Sequence, residues 1–436
     1  MTLRPGSWNR IVGLAKNAPA RSDPGGSSRR VPLVVGCLAC LLALAAFAYL
    51  VRLDLFGRPG FRMLDLGVYR DGGHAILHSR RLYSIRSKAG LFTYPPVAAV
   101  LAIPLALMPW RVAQFAWLPM IYVPLAIVVW ISFRPLLART RRYAPAVFAL
   151  LLAAAAFLTP LREELHYGQV DIFLVALCLL DCITVRPRWP RGVLIGLATA
   201  IKLVPGVFII YLFITGRRKA AGVATLTFAG LSGLTWLIAP SDSATYWTSA
   251  IFDSNRLGGN TQAANQSLRG MLLRLFAPAL APDVLWLALA LLVAVAGFAA
   301  ARILHRRGQE MAGIAITGLL AALLSPVAWI HHLCWVVIAI GVLVGDGRNR
   351  RRVLTAAATT ALFASNLPIQ GKFILEAGGA PIWWTRFLEA TFGLAAIVLI
   401  GILYAIRPTD ADRHTATEAP EEPADIDGQL LASSRR

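Results

Sequence analysis

Charge is what this sequence has least of. Only 15% of its 436 residues are charged, against 57% hydrophobic, too little charge to coat the core of a soluble domain. Acidic residues are rarer still, 22 beside 43 basic ones, so each carboxylate within the apolar part of the chain stands out. Cysteine is sparse too. Cys37, Cys40, Cys178, Cys182 and Cys334 all lie in apolar segments. Cys37 and Cys40 have CxxC spacing, but no second ligand pair accompanies them. They read as small buried apolar side chains rather than metal or redox groups. An aromatic-interleaved basic domain is also missing, so the net charge of +21 does not point to nucleic acid. The arginines sit in short loops and tails, where positive charge fixes membrane orientation and meets anionic headgroups.

What is there is a series of apolar runs of helix-spanning length between residues 33 and 406. In lipid every backbone polar group must be satisfied within its segment, and these runs show no strand alternation, so they are helices. The expected fold is an all-α, polytopic membrane helical bundle with roughly ten to thirteen spans, broken helices included. Residues 1–32 form a basic tail rich in Gly, Ser and Pro, residues 33–406 the membrane domain, and residues 407–436 a polar tail; both tails are expected to be disordered and cytoplasmic. The first apolar segment, 33–51, follows a long polar tail and reads as an uncleaved anchor. Residues 52–92 form a long mixed loop in which Leu64, Val68 and Tyr69 share one helical face, as do His74, Leu77 and His78. Short amphipathic helices on the membrane surface suit that pattern.

Basic clusters at 1–32, 134–142, 186–191, 217–219, 305–307 and 348–352 fall on one side of the membrane by the positive-inside rule. Loops at 52–92, 162–170, 240–270, 325–332 and 368–384 fall on the other, external side. Two stretches break the alternation. Residues 97–133 look like two helices where the rule wants an odd number, and 192–215 look like one where it wants an even number. Broken or re-entrant half-helices at Pro104, Pro109, Pro119 and Pro205 would resolve both.

The unusual residues gather at the external loops: Asp65, Asp71, Glu163, His166, Gln169, Asp171, Gln266, Arg269, His331, His332 and Lys372. Taken singly, each reads as solvated loop charge. Asp171, Lys202, His331 and His332 stand at or inside the membrane boundary, where a charge costs about 2.5–3.5 kcal/mol at a helix centre, so they need partners or a wet cavity. Lys202 beside Pro205 can instead snorkel toward the basic side. Tyr69, Tyr94 and Trp383-Trp384 suit an interfacial aromatic belt. His331 and His332 are neighbours, and neighbouring helical positions point about 100° apart, which predicts that only one faces a given ligand. Asn265-Gln266-Ser267 matches a glycosylation sequon, read here as accidental.

Six short motifs follow one another in order: Asp65-x-x-Val68-Tyr69; Phe92-Thr93-Tyr94-Pro95-Pro96; Gly168-Gln169-Val170-Asp171; Lys202-x-x-Pro205-x-x-Phe208; Asn265-Gln266-Ser267; and Ser325-Pro326 with His331-His332. From about residue 33 to 406 the chain resembles the actinobacterial polyprenol-phosphate-mannose-dependent α-(1,2)-mannosyltransferases of glycosyltransferase family 87, which have the GT-C membrane fold. One position departs from that pattern: the family commonly has Asn where this chain has Asp171. The resemblance implies a plasma-membrane enzyme with its site on the external face and Asp65 as general base. Tyr69, Tyr94, His166, Gln169, Asp171, Gln266, Arg269, His331, His332 and Lys372 are then candidates for substrate binding. The chemistry is coherent: the acceptor hydroxyl must lose a proton as it attacks the anomeric carbon, and one carboxylate can take it. The lipid phosphate leaves as an anion and needs positive charge or donors, for which His331, His332, Lys372 and Arg269 are candidates. No cofactor and no metal are expected, because no carboxylate cluster has clear metal spacing. The implied donor is a polyprenyl-phosphate mannose, and the implied acceptor a phosphatidylinositol mannoside, lipomannan or lipoarabinomannan. A decaprenyl-phosphate arabinose donor is the alternative within this chemistry. A lipid-linked sugar flippase is the alternative outside it, but that would favour charges at the midplane and repeat symmetry.

Overall fold

The computed structural model describes residues 63–87, 90–276 and 282–406, with scattered positions between 36 and 52. Those scattered positions of the expected first span are all helical; the rest of it, with Cys37, Cys40, residues 53–62 and both tails, lies outside the described residues. Among the described residues the chain is helical almost throughout. Its one sheet is a two-stranded antiparallel hairpin, Arg86–Ser87 with Gly90–Leu91.

Among the described residues three helices are long and apolar enough to cross a membrane: Trp110–Ser132, Arg218–Ile238 and Asp283–Arg306. Two bent pairs pass the same test, Arg134–Ala156 with Thr159–Tyr167 (73°) and Ile382–Glu389 with Thr391–Ala405 (60°). The outer helices show apolar side chains outward: Leu226, Leu237, Val284 and Leu291 are 67–82% exposed. Such a surface is stable against lipid and not against water. At the centre stands Glu310–Leu324, where every residue from Ala312 to Leu323 is buried.

The two stretches that broke the charge alternation are explained by where the chain bends. Between 96 and 132 there is one long helix, Trp110–Ser132, preceded by two short ones, Pro96–Leu101 and Ile103–Ala106. The breaks fall at Ala102 and Pro109; Pro119, expected to break the segment, lies inside the long helix with Pro124. Neighbouring groups in a bundle can re-satisfy the carbonyls that such prolines free. Between 193 and 217 the chain runs out and back. Lys202 meets Asp171 at the start of the Asp171–Ile183 helix, whereas Arg217 meets the Cys182 carbonyl at that helix's end. Val193–Ile201 and Val207–Ile214 are therefore two half-helices joined at Lys202–Gly206, the even number that the sign rule asks for.

Basic loops meet at the opposite end from Asp171: Arg139 donates to the Asp346 carbonyl, and Arg217 pairs with Glu310. Here the fully buried Asp181 caps the Val193–Ile201 helix. Its oxygens accept from the backbone N–H of Gly192 (3.0 and 2.9 Å) and Ile195 (3.0 Å) and from Trp189 Nε1 (3.1 Å). Asp181→Ala strands two buried backbone donors, at about 1–3 kcal/mol each, and the half-buried Trp189 Nε1. A marked fall in thermal unfolding temperature in detergent is expected; an unchanged temperature would show that the cap carries no stability.

Candidate active site

The site is assembled around a turn. Thr159–Tyr167 ends at Gly168 in the left-handed conformation (φ +69°), and a Cβ there would lie 2.9 Å from Leu66 Cβ and 3.2 Å from Met63 Cβ. Only glycine therefore lets the Leu64–Leu77 helix dock this closely. The dock is pinned by Met63 N donating to the His166 carbonyl (2.8 Å) and by Trp117 Nε1 donating to the Gly168 carbonyl (3.0 Å). The buried face of the docked helix is Leu66, Val68, Tyr69, Gly72, Gly73 and Ala75; Leu77, expected on a shared face with His74, is exposed.

The next residue, Gln169, is buried, and its carboxamide joins the elements. Nε2 donates to Asp65 Oδ2 at 2.6 Å, while Oε1 accepts from Tyr69 OH at 2.7 Å and from Tyr94 OH at 3.2 Å. The Tyr69 and Tyr94 rings meet edge to face, 5.0 Å between centroids. These two tyrosines are thus committed to the site and are not belt residues. Among the described residues nothing donates to Asp65 Oδ1. Burial pushes the Asp65 carboxyl above the ordinary aspartate range, against the opposing effects of His331, the Gln169 hydrogen bond and Lys202. Asp71, on the same helix, takes no part in this network.

A second group stands beside it. Lys202 Nζ lies 3.0 and 2.9 Å from the two Asp171 oxygens and 2.9 Å from His332 Nε2. Lys202 therefore does not snorkel to the basic side. His331 places Nε2 3.8 Å from Asp171 Oδ2 and Nδ1 3.8 Å from Glu163 Oε2. Both histidines, on the Ile330–Leu333 turn, face this one group, contrary to the expectation of a single one. The Asp171–Lys202 pair is wide enough to meet both rings. One ligand atom each from Asp171, His331 and His332 lies within 4.8 Å of the others, a set that could hold a metal ion. Sequence spacing could not show it, because its parts are 160 positions apart along the chain (171 and 331). Glu164, which sequence reading passed over, is fully buried and accepts from the Ile172 N–H at 2.9 Å, holding the first turn of the helix that carries Asp171.

The remaining candidates are placed elsewhere or serve the frame. Gln266 donates to the Ala263 and Glu389 carbonyls (2.5 and 2.7 Å) and accepts from Gly393 N–H (2.9 Å), so its side chain rivets backbone. Asn265 Oδ1 accepts from Ala328 N–H at 3.0 Å, and Gln266 N–H donates to the Ala328 carbonyl at 2.6 Å, which fixes the strand leading to His331. Asn265 is fully buried, so the sequon is not presented for glycosylation. Arg269 pairs with Asp283 (2.8 Å), and the half-exposed Lys372 with Glu376 (3.7 Å); neither joins the Asp65 or Asp171 groups. His166 packs edge to face on Tyr167 and contributes its carbonyl to the dock. Trp383 and Trp384 line an apolar groove of about 560 Å³ with Leu268, Met271 and Phe387, apart from the polar cluster.

The site thus joins a half-buried carboxylate, held by a carboxamide that two tyrosines hold in turn, to a buried lysine–histidine group in a helical membrane protein. The chain belongs to glycosyltransferase family 87, whose model matches residues 92–326. It is a glycosyltransferase. It is 32% identical over 409 residues to a Mycobacterium tuberculosis polyprenol-phosphate-mannose-dependent alpha-(1-2)-phosphatidylinositol mannoside mannosyltransferase, covering 88% of this chain and 95% of the relative. A protein of the same description from Mycolicibacterium smegmatis is 31% identical, covering 91% and 96%. A phosphatidylinositol pentamannoside mannosyltransferase from the same organism is 31% identical, covering 71% and 74%. No solved structure matches the chain.

Gly168→Ala combines left-handed strain of about 1–3 kcal/mol with a contact against Leu66. Lower thermal stability and lower transferase activity are expected together. Normal activity at normal stability would mean that the dock does not depend on this glycine.

Proposed function

We propose that this protein transfers a mannosyl residue from polyprenyl-phosphate mannose to a phosphatidylinositol-mannoside-type glycolipid at the external face of the plasma membrane, forming an α-1,2 bond. The descriptions of its relatives support the donor and the acceptor class. The observation that carries the chemistry is Asp65: one oxygen is fixed by Gln169, and the other has no donor among the described residues.

In this reading the acceptor hydroxyl approaches Asp65 Oδ1. As its oxygen bonds to the anomeric carbon, its proton passes to the carboxylate and the bond from that carbon to the phosphate oxygen breaks. A single displacement on a β-linked donor inverts the carbon and gives the α product. The departing lipid phosphate keeps the bonding pair. Its negative charge is met by N–H donors of the buried His331 and His332, which stand beside the Lys202–Asp171 pair, rather than by a transferred proton. Tyr69 and Tyr94, through Gln169, hold the carboxamide that aims Asp65.

Asp65→Asn keeps shape and removes the base. A loss of about 10²–10⁴-fold in transfer is expected. Purified protein assayed with mannosyl and arabinosyl lipid phosphates, with product linkage mapped, tests both base and donor. Transfer near the wild-type rate by the variant would overturn the base assignment, and preferred transfer of arabinose would overturn the donor.

The pH dependence follows from the burial of Asp65. A carboxyl raised in the folded state binds its proton more tightly there than in the unfolded chain. Ionised Asp65 therefore costs stability above its folded value, and the cost is relieved as pH falls. Asp65→Asn is accordingly expected to unfold at an equal or higher temperature than wild type near pH 7. The base works deprotonated, so kcat/KM should fall with pH through that raised value. Its acid limb should lie above the range of an exposed aspartate.

A further inference from the structure

Lys202 has three protons, and each has an acceptor: two Asp171 oxygens at 3.0 and 2.9 Å and His332 Nε2 at 2.9 Å. The side chain is buried, with its ammonium 5.6 Å from the centre of the Tyr94 ring. No proton is left for a substrate. The same ammonium contacts Asp171 and His332, whose ligand atoms lie with one of His331 within 4.8 Å of one another in the manner of a transition-metal site. A divalent ion and an ammonium would repel each other strongly in so small and buried a space.

We propose that Lys202 is a positioning residue: it takes the cation place of the Asp171–His331–His332 cluster and holds His332 as the tautomer with its proton on Nδ1. A ring nitrogen that accepts from an ammonium is unprotonated, so the proton of a neutral ring must sit on the other nitrogen. Among the described residues that nitrogen, His332 Nδ1, is buried and has no hydrogen-bond partner, and neither nitrogen of His331 has one, its carboxylate neighbours standing 3.8 Å away. Buried polar groups without partners are rare in native structures unless a ligand completes them. The Nδ1–H of His332, with the N–H that His331 carries, suits an anionic oxygen arriving from outside. Lys202 thus acts on a bound phosphate through the histidine it orients and the carboxylate it neutralises. This last role rests on the mannosyl-transfer reading; the tautomer and the cation assignment do not.

The test uses the full chain with ¹⁵N-labelled histidine in lipid nanodiscs, with His331 and His332 resonances assigned by single His→Gln variants. In wild type, His332 is expected with unprotonated Nε2 and protonated Nδ1, and added Zn²⁺ is expected to leave both resonances in place. In Lys202→Met, His332 should leave that tautomer, Zn²⁺ should shift both resonances, and transfer should fall by about 10–100-fold, as for other groups that orient a ligand-binding histidine. A wild-type His332 protonated on Nε2, or wild-type resonances that move with Zn²⁺, would overturn the proposal. The wild-type spectra decide even if Lys202→Met does not fold. A chain that transferred arabinose, or no sugar at all, would leave these spectra unchanged, so failure of the mannosyl reading is separable.

Discussion

The carboxamide of Gln169 is the interaction on which the rest of the site depends. Its side chain offers N–H donors on one edge and an oxygen with two lone pairs on the other, and here both edges are used across elements. It donates to the Asp65 carboxylate and accepts from Tyr69 and Tyr94, so three segments distant in sequence share one planar group. An amide suits this position in a way an acid or a base would not, since it can hold a carboxylate on one edge and hydroxyls on the other without a charge of its own. The Gly168 turn beside it brings the Leu64–Leu77 helix close enough for the contact to form. Loss of the amide would leave the Asp65 carboxylate without its side-chain hydrogen bond, and loss of the glycine would press a Cβ against Leu66 and Met63.

The two aspartates of the site show how environment divides roles between identical side chains. Asp171 has both oxygens occupied by an ammonium and is neutralised in place. Asp65 has one oxygen held by a neutral amide and none by a cation at contact distance, and burial raises its affinity for a proton. Asp171 is thus the aspartate that is less free to act as a base. Lys202 accounts for how the charge is tolerated there.

Much of this was legible in the sequence. The scarcity of charge and the recurring apolar runs gave the helical membrane class, because lipid leaves few other options for the backbone. The alternation of basic loops even signalled the out-and-back pair at 193–217 before its geometry was known. Asp65, Gln169, Tyr69, Tyr94 and the two histidines stand together, as their ordered motifs suggested. What did not show was connectivity between distant residues. Lys202 read equally well as a snorkelling cation, because only the packing decides which end of a half-helix it faces. Gln266 looked like a ligand contact, yet its amide ties the 263–266 segment to Glu389 and Gly393. Arg269 and Lys372 were chosen for charge alone, and each found a nearby carboxylate instead. Pro119 reads as a break in sequence, but the long helix continues through it.

The order of these parts along the chain has a consequence for how the protein is made. Asp65 lies near the start and His331 and His332 far beyond it. A chain emerging from the ribosome and entering the membrane segment by segment carries its proposed base long before its counter-charges exist. Until the Ile330–Leu333 turn has been inserted and docked against Thr159–Tyr167, the nascent chain has a carboxylate but no phosphate-handling group beside it. On the proposed assignment of roles, the site is complete only when the Ile330–Leu333 turn is in place.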